Sequence, residues 1–405
     1  MRRSYPVVLA VLAACHVPTE TFHGPGDGGL PGADADGGVT GACSHVGFSL
    51  AATPIFDGTM VSSVAVSDLD DNGLPDVVVT SAPDGTGMPG MVTVLLDDGS
   101  AGVPAGNRTD HVAGSGPQSV VLADVDGNDF LDLVVVNSGD TAVGVFLNQG
   151  GRGGTAGTFD KMVPYQSKGN PSSVAVGSFD QNAGLDLVVT DKNVDGWISV
   201  LSNAGGGTFP AHNDIQTEAG GTPWAVAVTN FNGGASDLVV VNHALGSVNF
   251  LRGDSHGGFQ IQPAVSVGKQ PTSVAVGAAR GGGRQYVFVT GSDGTVSVLQ
   301  YANENLSSAH DPLELTGKSP QWVVAKDVNR DDKLDLVIAD GDDPGTVGVL
   351  LGNGDGTFQD PMYIPTGGVR PRSVAVEDMN GDGLPDIVVA NDSGTVNVLT
   401  AHCMP

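Results

Sequence analysis

Four nine-residue loops carry oxygen-bearing side chains at positions 1, 3, 5 and 9, in the pattern D-x-[DN]-x-[DN]-x-x-x-D. Each loop offers three carboxylates and one carboxamide, and the main-chain carbonyl of position 7 adds another oxygen. Calcium takes about six to eight oxygen ligands, whereas magnesium keeps several waters and tolerates irregular cages poorly. The loops therefore predict about four structural calcium ions, with these ligands: Asp68, Asp70, Asn72, Leu74 and Asp76; Asp124, Asp126, Asn128, Phe130 and Asp132; Asp327, Asn329, Asp331, Lys333 and Asp335; Asp378, Asn380, Asp382, Leu384 and Asp386.

The loops occupy one place in a repeat that occurs seven times. Each copy has a Ser-Val-Ala-Val-like run, the loop, a Val-rich run, a small turn and another apolar run, and no copy has a helical apolar stripe. A strand follows position 9 at once, so the loop joins two strands of a hairpin. The spacing of 48 to 56 residues is typical of a blade of four short strands, with copies that begin at Ser63, Ser119, Ser173, Ala225, Ser273, Trp322 and Ser373.

The remaining three copies predict weaker binding or none. The loop of copy three starts with Ser178 but keeps Asp180, Asn182 and Asp186, which could form a weaker site. Copy four is one residue short and lacks carboxylates at positions 1, 3 and 5, and copy five has no acidic residue in its loop. Asx-rich turns also occur without any metal, but four matches in register favour calcium over plain turns.

Taken together, these residues resemble the calcium-loop repeats called FG-GAP or VCBS repeats, as in integrin α-subunit propellers and many secreted bacterial proteins. The resemblance covers roughly residues 47–402 and rests on the loop, on the D-[LI]-V-V-V strand after it, and on hairpins such as Gly352–Phe358. It implies an all-β fold, a seven-bladed β-propeller with calcium in the loop between the first two strands of a blade. It implies little about the ligand, because propellers serve many functions.

The two ends of the repeat region predict how the ring closes. Copy seven ends near Thr400 without the Gly-Thr-Phe segment and fourth strand of copy six, and a matching segment, Gly47–Phe56, precedes the first copy. The N-terminal strand is therefore expected to complete the last blade and cover its open edge. The same alignment puts Cys43 and Cys403 in one hairpin turn, which predicts a disulfide; two free buried cysteines are the alternative.

The first residues predict export. Residues 1–14 resemble a lipoprotein signal peptide, with two arginines, a short apolar stretch and Leu-Ala-Ala before Cys15, the expected lipidation site. An ordinary secretory signal and a chance apolar start are the alternatives. Residues 15–42, rich in Gly, Pro and Asp, are expected to be a flexible tether, and residues 43–405 the propeller. We thus expect an extracytoplasmic monomer, held to a bacterial membrane or cell surface only through its lipid.

The charge of the chain excludes some partners. Its 45 acidic against 17 basic side chains give a formal net charge of −28. So acidic a surface argues against nucleic acid and against electrostatic docking on anionic lipid. It is compatible with calcium.

A candidate ligand face lies opposite the loops. There the residue after the proline that precedes each copy varies, and Trp224 and Arg372 are among these residues. Trp322 is one place further on, and Trp197 opens a third strand on the same side. Aromatic rings beside polar groups suit sugar or peptide recognition. The alternative is that the tryptophans fill gaps between blades.

The sequence shows no catalytic motif. Its nine histidines are scattered, and Cys-x-x-Cys, His-Glu-x-x-His and Gly-x-Ser-x-Gly are absent. We therefore expect no enzyme but a calcium-binding module for a glycan or protein ligand. A polysaccharide lyase or hydrolase is the second hypothesis and would need a Lys, Arg, His or Tyr cluster near Arg372. A surface-display domain without a specific ligand is the third.

Overall fold

The computed structural model describes residues 42–43, 45–51, 54, 56–57, 60–82, 89–99, 107–231, 234–278 and 284–404. The predicted signal peptide, Cys15 and all but the last residue of the predicted tether lie outside these residues. Within them the regular structure is entirely β. No helix there is long and apolar enough to cross a membrane.

Short strands account for the regular structure. In chain order they are β1 (Val46–Leu50), β2 (Phe56–Asp57), β3 (Val61–Ser67), β4 (Asp76–Ser81), β5 (Met91–Leu96), β6 (Asn107–Val112), β7 (Pro117–Ala123), β8 (Asp132–Asn137), β9 (Ala142–Phe146), β10 (Val163–Gln166), β11 (Pro171–Gly177), β12 (Asp186–Asp191), β13 (Trp197–Leu201), β14 (His212–Gln216), β15 (Pro223–Thr229), β16 (Asp237–Asn242), β17 (Ser247–Gly253), β18 (Phe259–Ile261), β19 (Val265–Ser266), β20 (Pro271–Ala278), β21 (Gln285–Gly291), β22 (Thr295–Ala302), β23 (Asn305–Ser308), β24 (Leu313–Glu314), β25 (Pro320–Lys326), β26 (Asp335–Asp340), β27 (Thr346–Leu350), β28 (Met362–Pro365), β29 (Pro371–Glu377), β30 (Asp386–Asn391) and β31 (Thr395–Cys403).

The strands form seven antiparallel sheets, the blades of a β-propeller, which confirms the predicted fold class. Blades 1 to 6 are β3–β6, β7–β10, β11–β14, β15–β19, β20–β24 and β25–β28, and blade 7 is β29–β31 with β1 and β2. In blades 4, 5 and 7 the outermost strand is split into two pieces that pair with the same neighbour. The first strand of each blade contacts the first strand of the next all round the ring, so the first strands line the axis.

Burial explains the composition of the strands. Second strands such as β4 and β8 are buried along their whole length, because a blade packs against neighbours on both faces. That is why they have Val-rich runs rather than an alternation of polar and apolar residues. Outer strands such as β6 and β10 are mostly exposed, and β6 is mostly polar.

The ring closes as the sequence predicts. Strand β1 pairs antiparallel with β31, with Val46 opposite Cys403 and Leu50 opposite Leu399. The two chain ends are joined by a disulfide between Cys43 and Cys403, whose Cα atoms lie 5.6 Å apart. The N–H of Cys43 also donates to the carbonyl of Asn329 at 2.7 Å, which ties blade 7 to the loop of blade 6.

Candidate functional site

The four acidic loops share one backbone conformation. Each joins the first and second strands of its blade, and its position 9 is the first residue of the second strand. Positions 4 and 6 have positive φ in every one, at Asp71 and Gly73, Gly127 and Asp129, Arg330 and Asp332, Gly381 and Gly383. Glycine and short polar residues adopt this left-handed geometry most readily, which is why the loops are rich in Gly, Asn and Asp. The predicted ligands of each loop are therefore brought together in one turn.

Side-chain hydrogen bonds stabilise this turn in the same way in each loop. The carboxylate at position 1 accepts from the N–H of position 6, as Asp68 does from Gly73 at 2.7 Å and Asp124 from Asp129 at 2.8 Å. The side-chain oxygen at position 5 accepts from the N–H of position 7, as Asn72 does from Leu74 at 2.7 Å. The loops are thus held in shape by their own side chains.

The aspartate at position 9 clamps two parts of its blade. In Asp132, Oδ2 accepts from the N–H of Val125 at 2.9 Å and Oδ1 from the N–H of Asn148 at 2.7 Å, so the carboxylate joins the loop to the turn after the third strand. The same two bonds occur at Asp76, Asp186, Asp335 and Asp386. These aspartates are completely buried.

Burial raises the pKa of four of these carboxyls to about 7, although backbone N–H donors oppose the shift; they are Asp76, Asp132, Asp335 and Asp386. The charges of the other acidic residues in the same loop contribute to the rise. A negative charge is therefore costly at position 9 unless a cation lies nearby.

The oxygen atoms of two loops are close enough to share an ion. Carboxylate oxygens of Asp68, Asp70 and Asp76 lie within 4.8 Å of one another, and so do those of Asp124, Asp126 and Asp132. In loop seven, Oδ1 of Asp378 is buried and accepts no hydrogen bond from the described residues. An all-oxygen donor set with several like charges and one bare oxygen fits a calcium ion.

Two loops carry a cation of their own. Nε of Arg152 lies 3.3 Å from Oδ2 of Asp126, and Nζ of Lys333 lies 3.0 Å from Oδ2 of Asp331. Both basic side chains are partly exposed and long enough to swing away. They would compete with an ion in loops two and six.

The three other copies retain the clamp to different degrees. In copy three, Asp180 and Asn182 lie in the loop, and Asp186 makes both clamp bonds. In copy four, Asp237 still accepts from the N–H of Gly253 at 2.9 Å although the loop has lost its other carboxylates. In copy five Tyr286 occupies position 9, and its hydroxyl donates to the carbonyl of Asp355 at 2.7 Å. Position 9 therefore has a structural role that does not depend on a metal.

Replacing Asp237 with alanine is expected to lower the free energy of unfolding by about 1–3 kcal/mol, because the N–H of Gly253, which is partly buried, would lose its acceptor. Asp237→Asn keeps an acceptor oxygen and should lower the free energy of unfolding by a smaller amount. Denaturant unfolding of both variants measures this, with Asp360→Ala, at an exposed position, as the control. A loss at Asp237→Ala no larger than at Asp360→Ala would show that the clamp is unimportant without its metal.

A ring of seven residues surrounds the axis at the end opposite the loops. Every first strand has a β-bulge after its first residue, and the bulged residue is the member of the ring from that blade. Bulges re-aim side chains, here towards the axis. The ring lines a cavity of about 240 Å³, which we call the cup, and consists of Ser62, Gln118, Ser172, Trp224, Thr272, Gln321 and Arg372.

Small and large members of the ring have different tasks. The hydroxyls of Ser62, Ser172 and Thr272, from blades 1, 3 and 5, donate to the proline carbonyl of the next blade at 2.6, 3.3 and 2.9 Å. They connect neighbouring blades. The longer side chains of Gln118, Trp224, Gln321 and Arg372 remain as the polar and aromatic wall of the cup.

Trp322 is the floor of the cup. It is the next residue along its strand, at a position where the other six blades have serine or alanine. Its ring packs against the apolar cluster of blades 6 and 7 and also against the cluster of blades 2 and 3 across the axis. One indole therefore spans the axis beneath the ring.

Lys192, which follows β12, also lines the cup. Its Nζ lies 3.9 Å from the centroid of the Trp224 ring and 2.8 Å from Oε1 of Gln118. The ring of His243 stacks on the same indole at 4.4 Å, so both faces of Trp224 are covered. Burial, with a smaller contribution from the charge of Arg372, lowers the pKa of Lys192 to about 8.

Among the described residues that line the cup, Asp392 is the one acid, and arginines hold it. Oδ2 of Asp392 lies 3.2 Å from Nε of Arg370 and 3.2 Å from a terminal nitrogen of Arg372. The residue is only 8% exposed, and its Oδ1 accepts no hydrogen bond from the part of the chain that the structure describes. Among the described residues at the cup, cations therefore outnumber anions, on a protein whose net charge is strongly negative.

Three of the four residues predicted for the ligand face meet at the cup: Trp224, Trp322 and Arg372. Trp197 does not line it; its ring lies under Nζ of Lys168 at 4.0 Å, on a strand further from the axis. The sequence analysis missed Lys192 and Asp392, whereas Gln118 follows a proline at the register position that it had assigned to this face. The turns between second and third strands lie at the same end as the cup, and a search of those turns for charged residues would have found Lys192 and Asp392.

Comparisons with known proteins agree with this architecture. Residues 327–389, from the loop of blade 6 to the second strand of blade 7, match the FG-GAP-like repeat family. A search among curated proteins finds no match. The fold is similar to that of BBS1N in a complex with ARL6DN, with a TM-score of 0.58, 15% identity, and coverage of 87% of this chain and 96% of that chain. It is also similar to virginiamycin B lyase from Staphylococcus aureus, with a TM-score of 0.58, 11% identity, and coverage of 88% and 99%. Such identities show the fold alone.

Proposed function

From the premise that this chain is a seven-bladed β-propeller with an FG-GAP-like repeat, we propose that it is a calcium-stabilised binding module that acts outside the cytoplasm. The observation that carries the proposal is the division of the molecule into two ends. Oxygen-rich loops of one conformation lie at one end, and a preformed cup with side chains from all seven blades lies at the other. The first end stabilises the fold and the second binds the ligand.

Calcium would be held by the side chains at positions 1, 3, 5 and 9 of loops one, two, six and seven. The ion supplies positive charge to a turn that gathers three carboxylates. The loop itself orients the ligand oxygens, because the N–H of position 6 donates to the side chain of position 1 and the N–H of position 7 donates to that of position 5. Copy three, with Asp180, Asn182 and Asp186, remains the candidate for a weaker site.

Export is supported by the disulfide, since such bonds persist mainly in oxidising compartments. Lipid attachment at Cys15 and tethering to a bacterial membrane or cell surface are part of this proposal.

The ligand is a glycan or a protein, and the cup admits only a small part of it. Its volume of about 240 Å³ is below the usual range for drug-sized ligands. A single sugar residue or a chain end fits such a space.

A glycan array and a panel of surface proteins, probed with the calcium-loaded protein, test this function. Trp322→Ser, which gives blade 6 a residue that other blades carry, should lower the affinity for any ligand of the cup at least about tenfold, as expected for loss of a buried aromatic contact. Trp197→Ser, outside the cup, is the matched control. Binding that is equal in both variants, or no binding at all, would contradict the assignment of the cup.

A lyase is the second candidate, because one observation favours it. The required basic cluster near Arg372 is present: the amine of Lys192, with its pKa lowered to about 8, is suited to take a proton near neutral pH. A lyase is also among the structures with a similar fold. Incubation with polyuronides and detection of unsaturated products, with Lys192→Ala as the control, decides between the two candidates; the expectation that the protein is no enzyme stays a prediction.

A further inference from the structure

We infer that the cup recognises a sugar acid, with its carboxylate at Lys192 and Arg372 and a hydroxyl at Asp392. This inference rests on the proposed binding function and adds the chemical class of the ligand. Three features of the cup carry it: an unneutralised ammonium group, a bare carboxylate oxygen, and a wall of amides and hydroxyls.

The ammonium group of Lys192 has no acidic partner. Its polar contact is the neutral Oε1 of Gln118, and no carboxylate lies within 4.0 Å of Nζ among the described residues. The charge that acts on it is the positive charge of Arg372, which also lines the cup. Two cations at one partly buried place favour an anion between them, because desolvation strengthens the attraction.

The carboxylate of Asp392 needs a donor. Its Oδ2 already binds both arginines, while Oδ1 is buried without a hydrogen bond from the described residues, in a side chain that lines the cup. A buried acceptor without a donor costs free energy, so the ligand should bring a hydroxyl or an amine to this place. An anion alone would be repelled there.

The rest of the wall also suits a polyol. The amide nitrogen of Gln118 and the amide oxygen of Gln321 have hydrogen-bonding capacity left, since Gln118 uses its oxygen for Lys192 and Gln321 uses its nitrogen for Ser319. The indole of Trp322 closes the bottom. A ring that bears one carboxylate and several hydroxyls satisfies all of these groups at once.

A carboxylate fits better than a phosphate. Lys192, Arg370 and Arg372 carry three positive charges against the one negative charge of Asp392, so charge balance alone admits either anion. The second negative charge of a dianion would, however, lie beside the bare Oδ1 of Asp392, whereas the hydroxyls of a sugar acid can donate to it.

The test uses the full-length calcium-loaded protein and matched pairs of monosaccharides. Glucuronate and glucose, and galacturonate and galactose, differ at one carbon, and glucose 6-phosphate provides the dianion. Titrations followed by calorimetry give the affinities. We expect each uronate to bind at least about tenfold more tightly than its neutral partner and than the phosphate, the effect of one charge-assisted hydrogen bond.

Lys192→Met removes the charge but keeps the apolar stem over Trp224. It should weaken uronate binding by about tenfold to a hundredfold and leave neutral sugars unaffected. Lys168→Met is the matched control, because Lys168 lies over the ring of Trp197 in the same way, at 4.0 Å, but outside the cup. An unchanged uronate affinity in Lys192→Met, or equal losses in both variants, would overturn the inference.

Other outcomes separate this inference from the proposed function. If a neutral glycan or an acidic peptide binds in a manner that Trp322→Ser abolishes and Lys192→Met does not, the sugar acid is wrong and the binding function stands. If the cup variants change the binding of neither the uronates nor any ligand from the array, the sugar-acid inference and the proposed binding function are both wrong.

Discussion

Removal of calcium should lower the melting temperature of the protein by roughly 10–20 °C. An ion present at about 100 times its dissociation constant stabilises the native state by about 2.7 kcal/mol, so four independent sites contribute on the order of 10 kcal/mol. For a domain of this size each kcal/mol corresponds to roughly 1–2 °C, less than in smaller domains. Thermal unfolding in millimolar calcium and in chelator measures the difference.

Metal counting by mass spectrometry tests the same prediction at the level of single loops. We expect about four ions in the wild-type protein and about one fewer in Asp70→Ala, which removes position 3 of loop one. The matched control is Asn230→Ala in copy four, where no metal is predicted and the count should not change. A protein without bound calcium and without a thermal shift would mean that the loops are plain Asx turns.

Calcium affinity should also fall in mild acid. The carboxyls at position 9 have a pKa raised to about 7 by burial, so in the absence of metal they hold a proton below that pH. Calcium must displace these protons, and binding therefore weakens as the pH falls below about 7. Calcium titrations at pH 8 and pH 6 check this direction.

Removal of the disulfide should have the second largest effect. Cys43 and Cys403 are 360 residues apart, and closing so long a loop in the unfolded chain contributes at most about 6 kcal/mol in the chain-entropy model, with measured values often smaller. We expect the double variant Cys43→Ser, Cys403→Ser to keep its β structure, because β1 still pairs with β31, but to melt at a clearly lower temperature.

Reduction of the wild-type protein should reproduce the melting temperature of the double variant and leave the variant unchanged. Mass mapping under non-reducing conditions should find one bond between the two cysteines. Free thiols at both positions would overturn the bond itself, and equal melting temperatures before and after reduction would overturn its energetic role.

The architecture could be predicted from the sequence because it is encoded locally. The repeat determines the strand order within a blade. Because the segment Gly47–Phe56 supplies the outer strand that copy seven lacks, the closure of the ring and the pairing of Cys43 with Cys403 could be predicted. Trp224 and Arg372 were found because they occupy one register position of the repeat. Their place at a bulge, which turns them to the axis, was not visible in the sequence.

Other parts of the site depend on contacts between blades. Lys192 follows a strand of blade 3 but touches Gln118 of blade 2 and Trp224 of blade 4, and no local pattern predicts such a meeting. The clamp of Asp132 was missed for a similar reason. The residues whose N–H groups bind the aspartates at position 9 lie at or near the end of the third strand and share no side-chain motif; in the six blades they are Asp97, Asn148, Asn203, Gly253, Gly352 and Ala401.

The indole of Trp322 has a consequence for the orientation of whatever enters the cup. Seven equal blades would offer a guest seven equivalent rotational settings about the propeller axis. A side chain that extends from one blade across the axis removes this degeneracy, since the guest then meets a different floor in each setting. A single large residue among six small ones thus adds an asymmetric floor to the unequal wall of the cup, which favours one setting of the guest.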